Sequence, residues 1–125
     1  MDMRLELVPL PSADVDASKA FYVDRVGFVL DHDVEHGNGM RIVQLTPQGS
    51  ACSIVLGVSP QGAGPVHGLH LVVDSAEAAR DELAGRGVEV TGIDDMGGVK
   101  YAHFSDPFGN TWELQEIPPN LTRPA

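Results

Sequence analysis

The stretch FSDPFGNTWELQEI, residues 104–117, joins a turn, Asp106-Pro107-Phe108-Gly109-Asn110, to an apolar run in which Glu113 sits between Trp112 and Leu114. Alternation of this kind is the mark of a strand buried on one face. Trp112 and Leu114 belong to the apolar parity and are assigned beneath a helix, while Thr111, Glu113 and Gln115 take the opposite face. The turn has an earlier counterpart. Pro47 and Gly49 precede Pro107 and Gly109 by about 60 positions, as Gly27 precedes Gly87, and self-similarity at one spacing marks an internal duplication.

The order of elements repeats with the punctuation. In the first half a short strand over residues 5–10 leads into SADVDASKAFYVDRVG, where Ala17, Ala20, Phe21 and Val26 trace a helical stripe and Gly27 supplies the stop. Residues 28–36 alternate as a half-buried strand, Gly37-Asn38-Gly39 turns the chain, and residues 40–46 and 51–58 read as two more strands. SPQGAGPV, residues 59–66, has the composition of a linker. The second half then runs strand (67–74), helix (75–87, with Ser75 as N-cap and Gly87 as stop) and strands over 88–96, 99–105 and 111–117. The expectation is one α+β domain over residues 1–125 made of two tandem βαβββ modules. Module 1 covers about 4–58, module 2 about 67–117, and 118–125 form a tail. Pro9 and Pro11 lack N–H groups on one in-plane side, so the first strand should have an edge, bulge or loose seam there.

Composition removes whole classes of function. A formal charge of −10 with no basic run argues against nucleic acid and against an anionic membrane surface. No apolar segment is long enough to span a bilayer, and the N-terminus lacks the apolar core of a signal peptide, so a soluble, cytoplasmic protein is expected. Cys52 is the single cysteine, which excludes an intrachain disulfide and a cysteine zinc site. The glycine-rich turns join strands, whereas a dinucleotide fingerprint requires a strand, a turn and a helix together.

The paired modules, the helix entry Asp14-x-x-x-Ser18-x-x-Phe21-Tyr22 followed by Gly27-Phe28, and the terminal Asp106-Pro107-x-Gly109-Asn110-x-x-Glu113-Leu114 resemble the vicinal oxygen chelate superfamily of glyoxalases, bleomycin-resistance proteins and extradiol dioxygenases. The resemblance implies a curved, mostly antiparallel sheet around a cavity with helices outside, and a homodimer. In metal-dependent members, ligands come from the first and last strand of each module. By motif spacing the matching positions are Leu7, Ser53, Gly68 and Glu113, of which only Glu113 has an ordinary metal-ligand side chain.

His70 shares parity with Gly68 two residues along the same strand, and a one-residue slip would instead bring His67 to the ligand position. His103 has the parity of Tyr101 on the adjoining strand and can face Glu113. The expected activity is therefore binding of a small organic molecule without the standard metal and without another cofactor. Glu113 and His70 would supply polarity and candidate acid/base groups, Leu7 and Val55 apolar contact, and Ser53, His103 and Gln115 further ligand contacts. The alternative is a divalent-metal lyase, isomerase or dioxygenase using Glu113 with His70 or His67, so the choice between binder and enzyme stays open at this point.

Overall fold

The computed structural model describes residues 1–121, so the last residues of the expected tail, 122–125, lie outside the described part. Among the described residues the chain forms eight strands: β1 (Leu7–Leu10), β2 (Val29–Glu35), β3 (Arg41–Thr46), β4 (Ser53–Leu56), β5 (Leu69–Val72), β6 (Asp94–Met96), β7 (Val99–Ser105) and β8 (Thr111–Glu116). Helix α1 (Val15–Ala20), continued by a π-helical segment Phe21–Val26, follows β1, and helix α2 (Ala76–Gly85) follows β5. The strands make two four-stranded mixed sheets, ordered β1-β4-β3-β2 and β5-β8-β7-β6. In each, the first and last strands of a module pair in parallel and the other neighbours pair antiparallel. The βαβββ order occurs twice, and the fold is α+β.

Two compact units result. One holds residues 1–66 together with Asp106–Asn110; the other holds His67–Ser105 and the chain from Thr111. In the first unit, Asp14 caps α1 by accepting from the Ala17 N–H at 3.1 Å, and Gly27, at φ 90°, ends the helical run. The buried helix residues are Ser18 and Tyr22, one position beyond the expected stripe of Ala17 and Phe21. Their polar atoms explain the shift. The Ser18 hydroxyl meets that of Ser12 at 2.6 Å, and the Tyr22 hydroxyl donates to Asp106 Oδ2 at 2.7 Å while its ring stacks on Phe28. Satisfied polar groups can be buried at little cost, and an apolar pattern does not reveal them.

Asp106 is the hub of its turn. Its carboxylate also accepts from the Phe108 and Asn110 backbone N–H groups and from the Asn110 amide, which in turn donates to the Pro11 carbonyl. The edge position of β1 accommodates Pro9, as its missing N–H demanded.

Two strand expectations need correction. The alternation over residues 28–36 does not make β2 half-buried: all seven residues are exposed, because β2 packs chiefly on its neighbour β3 and its register shifts between Leu30 and His32. The expected strand over 88–96 shrinks to Asp94–Met96; upstream, Thr91 bonds the His103 backbone through its own N–H and hydroxyl without continuing the ladder. In the second unit Ser75 caps α2 as expected, α2 packs on β7 and β8, and Trp112 stacks on Phe104 in the buried layer.

Candidate functional site

The second sheet builds a row of three titratable side chains from its register alone. In the parallel pairing of β5 with β8, His70 lies opposite Glu113; in the antiparallel pairing of β7 with β8, His103 lies opposite the same Glu113. Neighbouring strands run under 5 Å apart, so three side chains on one face at one level must meet. His70 Nε2 is 2.8 Å from Glu113 Oε2, and His103 Nδ1 is 3.1 Å from Glu113 Oε1. The row is open to water, with side-chain exposures of 42% for His70, 25% for Glu113 and 44% for His103.

Gly68, matched to a ligand position by motif spacing, is not the strand partner of Glu113. Counted back from the helix N-caps, Leu7 stands seven residues before Asp14 and Gly68 seven before Ser75, whereas His70 stands five before Ser75. Pairing through the last strand places Leu7 opposite Ser53, and His70, two residues beyond Gly68, opposite Glu113. His67 is drawn elsewhere, its Nδ1 lying 3.5 Å from the Thr111 hydroxyl.

A cavity of about 210 Å³ adjoins the row, lined by His70, Asp94, Met96, Tyr101, His103 and Glu113. Tyr101 stands edge-on to the His70 ring, with centroids 6.1 Å apart, and its hydroxyl accepts from Gln115 Nε2 at 3.1 Å. The expected Glu113, His70, His103 and Gln115 are thus brought together. Tyr101, Asp94 and Met96 are additions. Tyr101 was legible from its shared parity with His103, and Asp94 pairs directly with Tyr101 across β6 and β7.

The remaining expected ligand contacts, Leu7, Ser53 and Val55, belong to the first unit. Val55 is buried, Leu7 is exposed, and the Ser53 hydroxyl is engaged by Thr46 Oγ1 at 2.6 Å and by Gln44 Nε2 at 3.5 Å. Thr46 donates onward to Asp31. A cavity of about 290 Å³ in this unit, beside Pro11, Ser12, Gly57 and residues 59–63, has no titratable side chain in its wall.

Residues 4–114 match the model of the Glyoxalase/Bleomycin resistance protein/Dioxygenase superfamily. The chain belongs to this superfamily. Among solved structures, it is 34% identical to TnmS3, an antibiotic binding protein from Streptomyces sp. CB03234, over 94% of this chain and 98% of that one, with a TM-score of 0.82. A glyoxalase/bleomycin resistance protein from the same organism is 35% identical over 89% and 98% of the two chains, with a TM-score of 0.76. A member of the superfamily from Sphaerobacter thermophilus DSM 20745 is 27% identical over 93% and 98%, with a TM-score of 0.80. No curated protein matches the chain.

The register sets Leu7 opposite Ser53 and His70 opposite Glu113. Leu7 has no donor atom, Ser53 is occupied by its neighbours, and both histidines turn a ring nitrogen onto a Glu113 oxygen. Among the described residues no group of three or more His, Cys, Asp or Glu side chains is arranged to hold a metal ion. Of Leu7, Ser53, His70 and Glu113 only the last two are strong donors, and the third nearby, His103, points its Nδ1 at Glu113 instead of at a shared centre, so the donor set does not fit the standard metal.

Proposed function

We propose that this superfamily member binds a small organic molecule at the cavity beside Glu113, without a metal or other cofactor. The observation that carries the reading is the convergence of two carboxylates, two imidazoles and a phenol on one cavity wall that also offers the apolar Met96. A few convergent polar groups on a partly apolar surface are what small-molecule recognition requires. The likeness to TnmS3, an antibiotic binding protein, supports the same class of ligand. His70, Glu113 and His103 can also pass a proton to or from a bound molecule, with Glu113 as base, which makes metal-free acid/base chemistry the second reading.

The expected assembly is a homodimer. Val29, Leu30 and Val34 are exposed on β2, whose outer edge has no strand partner among the described residues, and Met40 is exposed beside them. No described helix is long and apolar enough to cross a membrane.

A thermal-shift screen against small-molecule antibiotics and aromatic metabolites tests the binding reading. Hits should raise the Tm of the wild type and lose that effect in Glu113→Ala and His70→Ala. Hits whose effect survives both substitutions would place the ligand elsewhere. Metal analysis of protein purified without chelator tests the other half, and stoichiometric metal lost on Glu113→Ala would overturn it.

A further inference from the structure

His70 makes a second contact, with a main-chain atom: its Nδ1 lies 2.6 Å from the carbonyl oxygen of Gly68. A carbonyl only accepts, so Nδ1 must carry hydrogen, and the other nitrogen, Nε2, is the one that faces Glu113. A regular strand would not make this contact, because its carbonyls lie in the sheet while its side chains stand perpendicular. Gly68 departs from strand geometry with φ +78°, immediately before β5, and its N–H is held by the Thr111 hydroxyl at 2.8 Å.

We propose that Gly68 is a positioning residue: its left-handed backbone, anchored by Thr111, aims a carbonyl at His70 Nδ1 and thereby reserves Nε2 for Glu113. The proposal rests on the site reading above and deepens it, since it specifies how the His70 ring is presented to a ligand. A Cβ built on Gly68 meets nothing within 4 Å, so Gly68→Ala acts through the backbone and not through a clash. An L side chain disfavours this φ, whereas asparagine tolerates it better than alanine.

The test is histidine side-chain ¹⁵N–¹H correlation spectroscopy on the full chain, with the His70 signals assigned by His70→Gln. The wild type should show His70 protonated at Nδ1; an Nε2–H tautomer with bare Nδ1 would overturn the proposal at once. Gly68→Ala should move the His70 signals toward that Nε2–H tautomer, and Gly68→Asn should restore the wild-type pattern. His70 signals in Gly68→Ala that superimpose on the wild type would refute the role. Should Gly68→Ala fail to fold, Thr111→Val releases the same backbone anchor and is read in the same way. Failure of the two readings is separable. A wild type that shows Nδ1–H but takes up no small molecule contradicts the binding reading alone, and one that binds with His70 as the Nε2–H tautomer contradicts the positioning role alone.

Discussion

The two sheets share one topology and spend the same row of positions differently. In the first unit the last strand contributes Ser53, only 4% exposed, whose hydroxyl is consumed by Thr46 and Gln44, and the facing position is the aliphatic Leu7. In the second unit the last strand contributes Glu113, flanked by His70 and His103 and open to a cavity. Duplication supplied two equivalent frames. Residue chemistry then made one row a closed piece of structure and left the other with groups able to meet a ligand.

The contrast is broken most forcefully from the inner face of the second sheet. Trp112 is buried and stacked on Phe104, so Trp112→Ala should cost about 3–5 kcal/mol in urea denaturation. A loss below about 1 kcal/mol would mean that the indole is not part of the core. Its neighbour Glu113 faces the other way and is partly exposed, so Glu113→Ala should change stability by no more than about 1 kcal/mol. Ser53→Ala should fall between these two, near ~1 kcal/mol, because it strips a hydrogen-bond partner from Thr46 and Gln44. A Glu113→Ala protein less stable than Ser53→Ala would reverse the assignment of roles.

The smallest effect concerns acid. In the first unit, hydrogen bonds from Arg41 and Lys19 hold the Asp33 carboxyl well below the ordinary range, while in the second unit the Lys100 contact lowers Glu77. A depressed folded-state value means that the stabilisation is complete above the unfolded carboxylate value of about 4 and is lost as pH falls from there toward the folded value. Both pairs are solvent-exposed, which keeps the effect small. Melting curves from pH 6 to pH 2 should therefore decline less steeply for Asp33→Asn than for the wild type. Parallel curves would remove the Asp33 cluster from the account.

Much of this was written in the residues. The 60-position echo of Pro47 and Gly49 in Pro107 and Gly109, together with period-2 alternation, was enough for the two βαβββ modules, and parity sent Trp112 and Glu113 to opposite faces. The partner of Glu113 was harder to read, because register is set by pairing across the sheet, and the residue facing the last strand lies two positions nearer the helix cap in the second module. Motif spacing marks Gly68, two residues short of the strand partner of Glu113. The helix face was misread for another reason: Ser18 and Tyr22 are buried through hydroxyl bonds to Ser12 and Asp106, partners remote in sequence. The exposure of β2 follows from its packing chiefly on β3, which alternation within one strand cannot disclose.

The central claim, that the second unit's row meets the ligand while the first unit's is structural, comes down to one titration. A molecule selected by the thermal screen is measured calorimetrically against the wild type, Glu113→Ala and Ser53→Ala. The account predicts at least about tenfold weaker binding for Glu113→Ala, as expected for losing a charge-assisted contact worth about 1.5 kcal/mol or more, and unchanged affinity for Ser53→Ala. Affinity lost in Ser53→Ala and retained in Glu113→Ala would contradict it.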